Sequence, residues 1–166
     1  METNWLVVLG SALIPVLVGM IWYNPKVFGN AWMQAAGLKE EDLKKSNMFI
    51  IMGLVLLLSV FLSVGLLYTV VHQLHIFASV NAVPGFEDPN SIQSKALADF
   101  FDLAKGNFRT FKHGTLHGTM AGITLALPIV GISALFERRS AKYIFIHAGY
   151  WIVCFALMGG VICQFS

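Results

Sequence analysis

Four long apolar stretches divide the chain, and each is long enough to cross a lipid bilayer as a helix. They cover about residues 5–23, 48–71, 114–136 and 143–165. A hydrocarbon core of about 30 Å needs roughly 20 helical residues. The pattern therefore predicts an all-α, multi-pass membrane protein in which residues 1–166 form a single domain with four transmembrane helices.

The connection between the second and third stretches, about residues 80–112, has a different pattern. Asp88-Pro89 is typical of a helix start, with an N-cap followed by proline. The apolar residues after it recur at helical spacing and form a stripe along one face: Ile92, Ala96, Leu97, Phe100, Phe101 and Ala104. The opposite face carries charged residues, namely Lys95, Asp99, Asp102 and Lys105. We expect an amphipathic outer helix that lies on the lipid or caps the bundle.

Composition supports the membrane assignment. The chain is 57% hydrophobic and only 12% charged, which is too apolar for a soluble domain of 166 residues. The net charge of +2 is small and scattered, so nucleic acid is not an expected partner. The expected surroundings are the lipid bilayer of the cytoplasmic (inner) membrane.

Basic residues predict the orientation. The first and third connections hold seven Lys and Arg near the spans, namely Lys26, Lys39, Lys44, Lys45, Arg138, Arg139 and Lys142, whereas the second connection holds four. Because basic connections stay on the cytoplasmic side, both termini and the amphipathic helix are predicted to lie outside.

One face of the third stretch consists of small residues at four-residue spacing. They are Gly114, Gly118, Gly122 and Ala126. Such a face allows a second helix to approach closely in lipid. It predicts helix packing, either within the chain or between chains.

Four histidines form the clearest candidate site. His72 and His75 follow the second stretch, whose helix is expected to continue toward them, and His113 and His117 open the third. Each pair is expected on one face of its helix, and both pairs at the same end of the bundle. Neutral imidazole is a common ligand of zinc and copper, and two pairs would complete four ligands for a divalent metal. The alternatives are hydrogen-bonded interfacial histidines, or a haem held between two of the rings.

A second candidate lies in the fourth stretch, where His147 and Tyr150 share a helix face. Polar groups at membrane depth are costly, and they often line an ion or proton pathway. Tyr150 could instead satisfy His147 or a backbone carbonyl across a helix interface.

Several short motifs, in order and spacing, resemble a bacterial membrane-protein family known only as a domain of unknown function, number seventeen sixty-one. The motifs are Asn4-Trp5, Trp22-Tyr23-x-Pro25-x-x-Phe28-Gly29 with Trp32, Gly37-Leu38-x-Glu40-Glu41-Asp42-Leu43, His113-Gly114, and Gly149-Tyr150-Trp151. The resemblance implies a four-helix integral membrane protein and no activity or substrate. Residues 72–112 depart from the family pattern, so it implies no role for His72 or His75.

The expected function is non-enzymatic, because the sequence has no phosphate loop, paired intramembrane carboxylates, or nucleophile with a matching base. Small size and the glycine face favour an accessory or assembly subunit, with a membrane-protein partner or self-association as a homo-oligomer. The alternatives are a small ion or solute transporter or channel, and a histidine metal or haem site at the outer face.

Overall fold

The computed structural model describes residues 3–104 and 106–166, and every regular element in these ranges is helical. Four helical segments are long and apolar enough to cross a membrane, namely Trp5–Trp22, Met48–Val70, Phe111–Phe136 and Ala141–Phe165. The predicted all-α class with four such helices is confirmed. Lys105, which we placed on the charged face of the amphipathic helix, lies outside the described residues.

The spans are joined by shorter helices. In chain order the α-helices are α1 (Trp5–Ser11), α2 (Leu13–Trp22), α3 (Asn30–Ala36), α4 (Glu40–Lys44), α5 (Met48–Val70), α6 (His72–Asn81), α7 (Ile92–Ala104), α8 (Phe111–Ala121), α9 (Leu127–Phe136) and α10 (Ala141–Phe165). The π-helical turns Pro25–Gly29 and Gly122–Ala126 precede α3 and α9. The first span is therefore α1 with α2, and the third is α8 with α9.

The first span is interrupted at Ala12, one turn before its proline. Pro15 has no backbone N–H, so the carbonyl of Ser11 loses its helical donor. The Ser11 side chain is buried here; its Oγ lies 2.7 Å from the Val8 carbonyl and 3.0 Å from Ser63 Oγ on α5. The interruption therefore coincides with a polar contact between the first two spans.

The third span accommodates its proline differently. The π-helical turn Gly122–Ala126 ends two residues before Pro128. A proline ring clashes with the carbonyl four residues earlier, and a widened turn relieves that clash. Both spans therefore stay helical overall despite a central proline.

The fourth span, α10, lies at the centre of the bundle. In its most apolar window 39% of the residues are buried, against 22% in each other span. Cys154, Met158, Ile162 and Cys163 on α10 are fully buried and belong to one core with residues of α1 and α5. The other spans keep long apolar faces exposed, as lipid-facing helices require.

The two basic connections meet at one end of the bundle. Arg139 Nη1 donates a hydrogen bond to the Ala36 carbonyl at 2.8 Å, which joins residues 137–140 to the end of α3. We call this the basic end. The opposite end carries α6, α7 and the start of α8, and we call it the histidine end.

Two boundaries at the histidine end differ from those the sequence indicates. The second span was expected to continue toward His72, but Val71 is extended (φ −106°, ψ 91°) and separates α5 from α6. The amphipathic helix begins at Ile92 rather than Pro89. Ser91 Oγ accepts from the Ser94 N–H at 3.1 Å, as an N-cap does, whereas Asp88 accepts from Asn90 N–H within the preceding turn.

Candidate metal centre at the histidine end

Three of the four candidate histidines converge on one point. His72 Nε2 lies 2.9 Å from His113 Nε2 and 3.3 Å from His117 Nε2. One ligand nitrogen from each ring can be chosen so that all three lie within 4.8 Å of one another. The three side chains are half-buried, so the cluster lies at the edge of the bundle rather than in its core.

Local backbone features bring the three rings together. The Thr110 side chain accepts from the His113 N–H at 3.2 Å and starts α8, which places His113 and His117 one turn apart on the same face. The extended Val71 redirects the chain so that His72, the first residue of α6, reaches that face. The rings of His113 and His117 are 4.4 Å apart between centroids.

These separations are close to those of a metal site. Zinc binds imidazole nitrogen at about 2.0–2.1 Å with tetrahedral geometry, which separates ligand nitrogens by about 3.3 Å. The His72–His117 distance of 3.3 Å already has this value, and the His72–His113 distance of 2.9 Å needs only a small expansion. A haem would have to fit between two rings, whereas these nitrogens are within hydrogen-bond distance of each other, so the arrangement does not suit a porphyrin.

Electrostatics favour an uncharged His72 ring. Burial, with smaller contributions from His117 and His75, lowers the pKa of His72 below its usual value. A neutral imidazole keeps the lone pair that a metal needs. His72 can therefore act as a ligand at neutral pH without first losing a proton.

His75 does not join the cluster, which corrects the predicted set of four ligands. Its Nε2 contacts the backbone carbonyl of Tyr68, and the residue is exposed. In the described ranges, no Cys, Asp or Glu joins the group either. The protein thus offers three nitrogen ligands rather than four.

Phe108 flanks the cluster and was not indicated by the sequence. Its ring packs at 4.9 Å on His113, and its backbone has a left-handed φ of 61°, which is uncommon for a bulky residue. The Phe108 carbonyl accepts from Cys163 Sγ at 3.2 Å, which ties this turn to α10. No local sequence signal predicts the positive φ of Phe108.

The predicted glycine face packs within the chain. A methyl group added to Gly114 would overlap the backbone of Gly159, one on Gly118 would overlap the Phe155 carbonyl, and one on Gly122 would come 2.7 Å from Ile152 Cα. All four residues of the face, Gly114, Gly118, Gly122 and Ala126, are buried. This face therefore binds α10 and offers no surface to another chain.

The second candidate pair, His147 and Tyr150, is not joined by a hydrogen bond in the structure. The Tyr23 hydroxyl bonds His147 Nδ1 at 3.1 Å, whereas the Tyr150 hydroxyl donates to the Pro15 carbonyl at 2.8 Å. His147 Nε2 is buried and has no partner within the described part of the chain. Both side chains thus link α10 to the first span.

A family model described as "Protein of unknown function (DUF1761)" matches residues 6–163, almost the whole chain. The chain belongs to this family. The resemblance indicated by the sequence motifs is confirmed. No curated protein and no solved structure matches it.

The structure brings two of the DUF1761 motifs together, one from the first span and one from the fourth. Trp22 Nε1 donates to the Ile146 carbonyl at 3.1 Å, and its ring packs where Gly149 has no side chain. Tyr23 contacts both Tyr150 and His147 in the same cluster. These aromatic residues fasten the first span to α10 near the basic end. The histidine cluster is a separate site at the opposite end.

Proposed function

We propose that this DUF1761 protein is a membrane-embedded metal-binding protein that holds one divalent transition-metal ion at His72, His113 and His117. The observation that supports the proposal is that His72 Nε2 lies 2.9 Å from His113 Nε2 and 3.3 Å from His117 Nε2, although His72 is more than 40 residues from both in sequence. A metal ion at this point would use the lone pairs of all three rings.

The ligand type selects the metal. Three imidazole nitrogens without thiolate or carboxylate suit zinc or copper better than magnesium or calcium, which prefer oxygen ligands. Three protein ligands also leave one position of a tetrahedral site open. The site is therefore one that can exchange or bind a further ligand, rather than a closed structural site.

The ion would connect two parts of the fold. His113 and His117 belong to the third span, whereas His72 belongs to α6, which leads into the connection that contains α7. A bound ion would hold the start of α6 on the bundle. Binding rather than catalysis is the proposed role.

We place the site at the outer face of the cytoplasmic membrane. The basic residues of the first and third connections lie at the opposite end of the bundle, and basic connections are retained on the cytoplasmic side. Both termini would then be outside.

We rank this function above that of an accessory or assembly subunit. The accessory interpretation was based on small size and on the glycine face, and in the structure α10 occupies that face. Association with another membrane protein or a second copy would have to use one of the lipid-facing surfaces.

The test is the metal content of the purified protein. After purification without added metal and incubation with a small excess of zinc, elemental analysis should give about one ion per chain. His72→Ala, His113→Ala and His117→Ala should each lose it, whereas His75→Ala, one helical turn from His72, should keep it. Circular dichroism and gel filtration check that all variants are folded. Metal absent from the parent protein, or unchanged in the three variants, would overturn the proposal.

A further inference from the structure

A groove begins at the histidine cluster and runs between α6 and α7. Its volume is about 470 Å³, and it is lined by His72, Gln73, Ile76, Phe100, Leu103, Ala104, Asn107 and Phe108. His72 is therefore both a member of the cluster and part of the groove wall. The volume lies within the range of about 300–1,000 Å³ that is typical of small-molecule sites.

The groove is apolar along most of its length. Of its polar residues other than His72, Gln73 is buried and its side-chain amide donates to the Asn107 backbone carbonyl at 3.0 Å. Leu103 is 83% exposed and Phe100 is 44% exposed, which is unfavourable in water unless lipid or a ligand covers them. The occupant that fits these walls has a long apolar part.

The charge at the cluster favours an anion. Three neutral imidazoles leave both charges of a divalent ion uncompensated. Among the described residues, no Asp or Glu lines the groove or joins the cluster. A ligand at the open fourth position is stabilised if it carries negative charge. The polar end of the occupant is therefore expected to be an anionic oxygen.

We infer that the site binds a long-chain carboxylate, with the carboxylate on the metal and the alkyl chain along the groove between α6 and α7. This inference rests on the proposed metal site. Fatty acids partition into membranes, so such a ligand would reach a groove at the histidine end of the bundle. No covalent step is involved.

The experiment uses the full-length protein loaded with cobalt(II), whose visible spectrum changes with its ligands, in a non-ionic detergent. The probes are dodecanoate, acetate and dodecanol. Dodecanoate should change the spectrum at a concentration at least about tenfold lower than acetate, because its chain adds apolar contact. Dodecanol, which has the same chain but no charge, should leave the spectrum unchanged.

A matched pair of variants tests the groove itself. Leu103→Glu replaces an apolar wall residue with a charged one beside the alkyl chain and should weaken dodecanoate binding at least about tenfold, with acetate, which has no such chain, unaffected. Ile92→Glu lies on the same helix, is equally exposed at 84%, and is outside the groove, so it should have no effect.

The outcomes separate the two proposals. If cobalt does not bind, both the metal site and the ligand are overturned. If cobalt binds but dodecanoate and acetate act at the same concentration, or Leu103→Glu behaves like Ile92→Glu, the metal site stands and the long-chain carboxylate is overturned.

Discussion

His72 Nε2 lies 2.9 Å from His113 Nε2, although 41 residues separate them in sequence. The contact joins the start of α6 to the start of the third span. Since His117 Nε2 is only 3.3 Å from the same His72 nitrogen, three rings share one position at the histidine end. Much of what we expect of this protein follows from that geometry.

Removing the metal should loosen α6 without unfolding the bundle. A chelator would leave only ring-to-ring contacts between His72 and the third span. Amide hydrogen exchange measured with and without zinc should therefore be faster in residues 72–81 of the chelated protein, while buried α10 is unchanged. Equal exchange in both states would contradict a metal link between α6 and the third span.

The glycine face should be intolerant of even one methyl group. Gly118→Ala pushes a Cβ into the Phe155 backbone on α10, and we expect a loss of about 1–3 kcal/mol, as for an overpacked core. Gly53→Ala on α5 is the control, because nothing lies within 4 Å of its added Cβ. Unfolding in a denaturing detergent measures both variants. Similar stability of the two would show that α8 and α10 are farther apart than described.

The Tyr150 hydroxyl should contribute about 1 kcal/mol of stability through its bond to the Pro15 carbonyl. Tyr150→Phe removes only that oxygen. Tyr68→Phe is a suitable control, since Tyr68 is half-exposed on α5. The same unfolding measurement should rank Tyr150→Phe below Tyr68→Phe, and the reverse order would argue against the link between α10 and the first span.

The orientation can be tested with a membrane-impermeant maleimide. The native Cys154 and Cys163 are fully buried and should not react. In intact cells, Ala98→Cys on α7 should be labelled from outside, whereas Lys44→Cys on the basic first connection should react only after the membrane is opened. Labelling in the opposite pattern would reverse the proposed topology while leaving the metal site intact.

The helix pattern was largely readable from the sequence because hydrophobic length determines which segments can cross a bilayer. The glycine face was also evident, since four-residue spacing places Gly114 and Gly118 on one side of a helix. Its partner was not evident. Gly159 contacts that face, and Gly160 packs against Phe111 and Thr115. Both contacts arise where α8 crosses α10, and no local sequence pattern predicts that crossing.

The site was predicted in part. Periodicity placed His113 and His117 together. His72 was placed at the same end because the second span ends, and the third begins, on the same side of the membrane. His75 was included because residues three apart on a helix lie on one face. Both residues do lie on α6, but the His75 ring contacts the Tyr68 carbonyl instead of the cluster. The partner that a side chain contacts depends on tertiary packing, which residue spacing does not show.

The start of α7 shows the same limit. Asp88-Pro89 is a valid helix start by local chemistry, yet Asp88 closes a turn and Ser91 takes the N-cap position. Two capping residues three positions apart compete, and the rest of the fold decides between them.

The most direct test of the account is anomalous diffraction at the zinc absorption edge from crystals of the zinc-loaded protein. We predict one strong peak about 2.0–2.1 Å from an Nε2 atom of each of His72, His113 and His117, with His75 outside its coordination. A well-ordered cluster without a peak, or a peak bound elsewhere on the chain, would contradict the proposed metal centre.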